Sequence, residues 1–233
     1  MQTRTTKLIE IFNIGEERSG VFDLPSKLWP SPGQYLPCQR IQAELDVLPT
    51  SLFPLISPPD SLALGPIPDS WLPGDRITFL PPQGNGYTLT PTARRVGLLA
   101  LSLSPAQVLT LAHPALAQYA DVSLFFDAHE DQSSLLNHVP SAVEVVPLSA
   151  LPETLGWLDF LAVEATIPDL EPLSALLPSS HLTFEGQIRI RTAMPCRGKA
   201  ECGVCGIRTH HGWRMVCSDG PVFPLQEVLH VAG

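Results

Sequence analysis

Through the first third of the chain, apolar positions come in short runs separated by turn residues. LIEIFNI at 8–14, GVFDL at 20–24, QYLPCQRI at 34–41, ELDVL at 44–48 and RITFL at 76–80 are each bounded by Pro, Gly, Asp or Ser. Short runs rich in Val, Ile and Phe, punctuated at close intervals by turn formers, predict strands that pair antiparallel and close on themselves. The expected first domain is a small antiparallel β-barrel over residues 1–90.

Beyond residue 90 the spacing lengthens, and apolar runs alternate with stretches of helical character. ARRVGLLALSL at 93–103, DVSLFFDA at 121–128, SAVEVVPL at 141–148, WLDFLAVEA at 157–165 and HLTFEGQIRIR at 181–191 read as strands. Ser104-Pro105 is an N-cap followed by proline at the first helical position, which predicts a helix through 106–120 that Pro114 kinks or breaks. Strand–helix alternation of this kind predicts a Rossmann-like parallel-sheet domain over residues 91–193. The 25 prolines are dispersed without a repeat, so they mark element ends rather than a disordered tract.

Residues 194–233 change character again, and here the chemistry concentrates. Four of the five cysteines stand as Cys196-x5-Cys202-x2-Cys205-x11-Cys217. A near-neighbour pair with two outliers is the arrangement by which four thiolates converge on a [2Fe–2S] cluster, with the first gap one residue longer than in the plant-type spacing. Gly198, Gly203 and Gly206 lie among them, where a loop wrapped on a cluster needs left-handed backbone and free N–H groups. A four-cysteine zinc site is the alternative, although such sites usually show two Cys-x2-Cys knuckles and one is present. Disulfides fit less well, because the odd Cys38 is left over as a small core residue and MQTRTTKLIEIFNIG has no apolar leader run.

Charge adds a second layer. The chain carries a net −9, which argues against a nucleic-acid partner, and no apolar run approaches the ~18 residues of a membrane span. Residues 186–217 nevertheless hold Arg189, Arg191, Arg197, Lys199, Arg208 and Arg214 against Glu201 alone. Such a segment helps hold an anionic cluster and offers a docking patch for an acidic partner surface. His210-His211 beside the cysteine loop, and Asp127, His129, Glu130 and Asp131 after a strand, are expected to be solvated turn residues rather than ligands.

Cys217-Ser218-Asp219-Gly220-Pro221-Val222-Phe223, together with Met194, Cys196, Cys202 and Cys205, resembles the C-terminal end of the electron-transfer subunits of dihydroorotate dehydrogenase, within the ferredoxin-reductase superfamily. Pro32-Gly33-Gln34-Tyr35, Pro73-Gly74-Asp75 and Gly84-Asn85-Gly86-Tyr87 are similar to turns in that family's barrel. The resemblance implies a barrel of the FAD-binding type, a nicotinamide-binding α/β domain and a cluster held by Cys196, Cys202, Cys205 and Cys217. It also implies a hetero-oligomeric partner, a dihydroorotate dehydrogenase-like catalytic flavoprotein, and a cytoplasmic setting.

Two departures qualify it. Where the family has a glycine-rich loop after the first α/β strand, this chain reads Leu99-Ala100-Leu101-Ser102-Leu103-Ser104-Pro105, and a later Cys-Gly-Pro turn is replaced by Val163-Glu164-Ala165-Thr166-Ile167-Pro168. Without those glycines a backbone cannot close on a pyrophosphate, so NAD is not expected. The family's Arg-Pro-x-Ser-like strand becomes Leu52-Phe53-Pro54-Leu55-Ile56-Ser57, without the arginine. FAD then depends on whether the fold brings Arg40 or Arg76 close. The expected function is an iron–sulfur electron-transfer subunit working between a flavin and a partner oxidoreductase; the alternative is a non-catalytic structural or regulatory subunit with a four-cysteine zinc site.

Overall fold

The computed structural model describes residues 3–15, 17–41, 48–57, 61–126, 133–177, 182–229 and 231. The apolar runs at 8–14, 20–24, 34–41 and 76–80, joined by strands at 50–54 and 63–65, build the expected barrel. Its strands are β1 (Arg4–Ile14), β2 (Glu17–Phe22), β3 (Leu36–Arg40), β4 (Thr50–Pro54), β5 (Ala63–Gly65) and β6 (Arg76–Phe79). They close in the order β1-β2-β5-β4-β3-β6, every pair antiparallel. β1 is long enough to serve two neighbours, pairing β6 over Arg4–Lys7 and β2 from Leu8 onward, with an irregularity in the β2 register between Leu8 and Glu10. A bulge of that kind bends a strand around a barrel corner. Leu8, Leu36, Cys38, Leu52, Leu64, Trp71 and Ile77 fill the interior, each large aliphatic contributing about 1.5–3 kcal/mol by leaving water. Most of the candidate strand at 44–48 lies outside the described residues, as do Asp127, His129, Glu130 and Asp131.

All five expected α/β strands are present. β7 (Arg95–Ala100), β8 (Asp121–Phe125), β9 (Val143–Val146), β10 (Phe160–Thr166) and β11 (Glu185–Arg191) form a parallel sheet in the order β9-β8-β7-β10-β11. Successive strands run outward from β7 to β9, and the chain then returns to the other side of β7. The boundary between β7 and β10 is therefore the topological switch point. One face of the sheet, through Leu161, Val163, Ile188 and Ile190, packs toward the C-terminal segment. The other, through Val96, Leu98, Phe160 and Ala162, packs on the segment after β7 and on barrel residues Ile14, Leu55 and Ile56.

The helix opened by Ser104-Pro105 begins as a 3-10 turn at Val108–Leu111 and becomes α1 (Ala112–Ala117). Pro114 sits in the first turn of α1 instead of breaking it, because N–H groups there have no intrahelical partner to lose. The next three helices are short: α2 (Ser133–Leu136), α3 (Leu151–Thr154) and α4 (Leu170–Leu176).

From β11 the chain enters the cysteine loop, forms the hairpin β12 (Gly206–Thr209) and β13 (Gly212–Met215), then α5 (Val216–Asp219), and comes back as β14 (Val222–Pro224) before α6 (Leu225–Val228). β14 adds antiparallel to β11, with Ile188 opposite Phe223. The cysteine-bearing segment is thus part of the central sheet and not an appendage to it.

Candidate metal centre

The loop leaves β11 at its C-terminal end, the end at which parallel sheets present their functional groups. Buried Met194 anchors its start, and Arg197, Gly198, Ala200 and Gly203 all take left-handed backbone, with φ of 55°, 80°, 58° and 71°. Four such residues in seven curl the chain tightly around one point. Gly206, by contrast, is an ordinary strand residue opening β12 and is not one of the left-handed positions.

The curl brings the cysteines to one end of the segment, where Cys196 and Cys205 each contact Cys217, although among the described residues no three side chains are drawn together closely enough to hold a metal ion. Cys196 Sγ lies 3.8 Å from Cys217 Sγ, and the Cys217 N–H donates to Cys205 Sγ at 3.5 Å. Metal–thiolate bonds of about 2.3 Å in a tetrahedron put two sulfurs about 3.8 Å apart, so the first of these distances is that of neighbouring ligands. The backbone N–H groups of Ala200 and Glu201 lie on the same turn, where they favour a charged Cys196 sulfur. Burial opposes ionisation of Cys196, but the Cys202 and Cys217 thiols and those two N–H groups outweigh it and bring the thiol down to about 7. Burial and then the adjoining Cys205 push Cys217 up to about 12. Amides aimed at sulfur suit a site for a charged sulfur cluster. Cys205 and Cys217 are buried whereas Cys202 is exposed, so such a group would be sheltered on one side and open on the other.

The motifs scattered through the sequence meet behind this loop. Tyr35 donates its hydroxyl proton to the Cys217 carbonyl at 2.9 Å, and Gln34 Nε2 donates to the Gly84 carbonyl at 3.1 Å. Asn85 donates its backbone N–H to Gly220 O at 2.6 Å and its side-chain Nδ2–H to Asp219 O at 2.7 Å. Asp219 itself accepts from the Met215 N–H at 2.7 Å. A Cβ on Gly84 would come within 2.7 Å of the Gly220 carbonyl oxygen, which explains a glycine where the barrel touches the segment. Three turn motifs from 32–35, 84–87 and 217–223 are therefore one wall.

The basic segment is redistributed. Arg189 is fully buried, ion-paired with Glu164, and lies 4.1 Å over the Phe53 ring, so it forms no part of a surface patch. Arg191 pairs with Glu17 at 3.3 Å, and Arg197 hydrogen-bonds Gln39. The exposed cations are Arg197, Lys199 and Arg208, with Arg214 half-buried. Beside them Val204 and Trp213 are 55% and 71% exposed, an apolar element next to Cys202 that the hydrophobic pattern alone did not distinguish from core. His210 bonds Leu229 O at 2.7 Å and His211 lies 3.9 Å from Glu227, so both face the C-terminal turn and not the sulfurs.

Neither cation considered for a flavin phosphate reaches β4 as a free group. Arg40 bonds the Ser70 carbonyl at 2.7 Å and Asp75 at 3.4 Å, and Arg76 is exposed on β6. Cys38 is a buried barrel residue, as expected.

Barrel, parallel sheet and the cysteine-bearing segment added to that sheet together define the class by fold, that of the ferredoxin reductases. Residues 198–229 match the iron–sulfur cluster binding domain of dihydroorotate dehydrogenase B. The chain is similar to the dihydroorotate dehydrogenase B (NAD(+)) electron transfer subunit of Clostridium perfringens, 25% identical over 166 residues that cover 66% of this chain and 67% of the relative. It is similar also to the corresponding subunit of Desulforamulus reducens, 24% identical over 183 residues and 67% of each chain. Among solved structures, a chain of an NADH-dependent reduced ferredoxin-NADP oxidoreductase superposes with a TM-score of 0.73 at 14% identity, covering 96% of this chain and 89% of that one. A ferredoxin NADP+ reductase from Neisseria gonorrhoeae with bound FAD and NADP gives 0.61 at 11% identity, covering 82% and 99%.

Proposed function

We propose that Cys196, Cys202, Cys205 and Cys217 hold a [2Fe–2S] cluster, and that the chain is the electron-transfer subunit of a dihydroorotate dehydrogenase-type complex serving pyrimidine biosynthesis in the cytoplasm. The observation that carries this is the loop of left-handed residues that brings Cys196 to 3.8 Å from Cys217 and directs the Cys217 N–H at Cys205 Sγ, with exposed Cys202 on the same loop. When bound, such a cluster exchanges single electrons. Residues of this chain supply the rest. Tyr35 and Asn85 brace the loop from the barrel, and exposed Cys202 leaves one edge open to a catalytic flavoprotein. The flanking Val204, Trp213, Arg208 and Lys199 suit an apolar contact ringed by cations. No helix among the described residues is long and apolar enough to cross a membrane.

Metal analysis of anaerobically purified protein tests the reading. About two iron and two sulfide per chain are expected, with Cys202→Ser losing most of both and Cys38→Ser losing neither. Stoichiometric zinc without iron would replace this function by the structural alternative.

A further inference from the structure

We propose that side chains of this protein close both crevices in which its fold class holds dinucleotides, so that it keeps no flavin or nicotinamide of its own and exchanges electrons with a one-electron iron–sulfur protein. The statement about the exchange partner rests on the four-cysteine reading above; the statement about the crevices does not.

Ligands of open α/β sheets enter at the switch point, here between the ends of β7 and β10. Leu101 donates its N–H to the Glu164 carbonyl at 2.9 Å, carrying the β7–β10 contact past the end of β7. Ser102, held left-handed at φ 51°, then bonds Asp169 at 2.8 Å, while Asp169 also takes the Thr166 N–H and hydroxyl. The N–H groups and carboxylate that would face a pyrophosphate are bound to each other, and a carboxylate stands where an anion would have to sit.

The second crevice is the seam between barrel and sheet, since domain interfaces are the other common place for a cofactor. Ile56, two residues past the end of β4, donates its N–H to the Ala106 carbonyl at 2.9 Å, joining barrel backbone to α/β backbone directly. Glu17, 6% exposed, accepts from Gln107 and pairs with Arg191 at 3.3 Å. Deeper in, Glu164 and Arg189 pair under the Phe53 ring, and the Tyr87 hydroxyl donates to the Val163 carbonyl at 2.6 Å. Both arginines are neutralised by carboxylates, so the seam offers a pyrophosphate no free cation among its described residues. The spaces left on either side of β4 are about 290 Å³ beside Phe53 and Arg191 and about 170 Å³ beside Ile56 and His113. Pockets for drug-sized ligands run from roughly 300 to 1,000 Å³, and a flavin dinucleotide needs more than the lower end.

The consequence for the reaction sequence is a class of co-reactant. No hydride is received here, so a two-electron oxidation on the partner subunit consumes two oxidised one-electron acceptors, each taking one electron and no proton. The test uses the full chain, purified without oxygen and assayed for iron. Gel filtration after incubation with FAD should leave the protein flavin-free, and FAD should not raise Tm, as a ligand bound to the native state must. After reduction with dithionite and desalting, NAD+ should leave the visible spectrum reduced. An oxidised Rieske-type ferredoxin, with its higher potential, should restore the oxidised spectrum. One FAD retained per chain, or reoxidation of the flavin-free chain by NAD+, would overturn the crevice claim. Failure of the ferredoxin to reoxidise it would overturn the co-reactant. Zinc in place of iron would remove the four-cysteine reading, while FAD retention and Tm would still decide whether the crevices are closed.

Discussion

Tyr35 and Cys217 lie 182 residues apart in the chain and meet through a 2.9 Å hydrogen bond from the tyrosine hydroxyl to the cysteine carbonyl. The bond fastens the barrel to the residue that closes the sulfur set. Burial, and then the adjacent Cys217, Cys196 and Cys205, raise the Tyr35 hydroxyl well above its ordinary value, so it stays a donor at any physiological pH. Tyr35→Phe removes that donor and leaves the ring packed against Phe53. It should cost about 1 kcal/mol, the usual net worth of such a bond, keep iron at the wild-type ratio, and speed iron loss to a chelator, followed by the decay of visible absorbance.

The Glu164–Arg189 pair should behave as a buried charge pair. Arg189 is brought down to about 10, chiefly by burial, and so remains a cation at neutral pH. Glu164→Ala strands that cation and should destabilise the fold by about 3–5 kcal/mol, whereas a Glu164→Leu/Arg189→Met double substitution should recover most of the loss. Urea denaturation of the two variants measures both.

A different carboxylate governs the acid limb. Asp159 accepts from the Arg95 guanidinium at 2.6 Å and from the Arg94 and Arg95 N–H groups, and these hold it at about 2 against an ordinary 3.8. A carboxylate depressed on folding stabilises the protein above its unfolded pKa, and that contribution fades as pH falls from about 4 toward 2. Carboxyl NMR should place Asp159 in that window, and Arg95→Gln should move it up toward the ordinary carboxylate range.

The open edge of the sulfur site should be the docking edge. Arg208→Gln/Arg214→Gln should slow association with the catalytic subunit and flatten its salt dependence, because exposed charges beyond about 8–10 Å are screened near physiological ionic strength. Trp213→Ala should act on dissociation instead, as loss of a central aromatic contact does. Stopped-flow binding separates the rates, and unchanged iron content shows that the site itself is intact.

Much of this was legible in the sequence because it is periodic or local. The apolar runs at 8–14, 76–80, 93–103 and 157–165 became β1, β6, β7 and β10, and the cysteine spacing located the sulfur loop. β5 spans Ala63–Gly65 and β14 spans Val222–Pro224, too few residues to show an alternation, and they exist only because longer strands already wait for them. Arg189 and Glu164 could not be paired by inspection either. They sit 25 positions apart in parallel strands, and only the register that sets Glu164 beside Arg189 turns two charges into one buried pair. The turn motifs at 33 and 84 looked like loop chemistry until the Gly220 segment packed on them.

β14 closes the excursion that β11 opens, so the sulfur segment is stitched to the same strand at both ends. It cannot be cut out as a portable cassette: removing residues 194–233 would take the sheet's border with it and leave β11 with unpaired N–H and C=O groups along a hydrophobic edge, the kind of edge on which chains aggregate. The same stitching makes the segment tolerant within. With both ends held by the ladder, an added residue such as the one between the first two cysteines changes only the path between fixed posts, at the small entropic cost of a slightly longer closed loop.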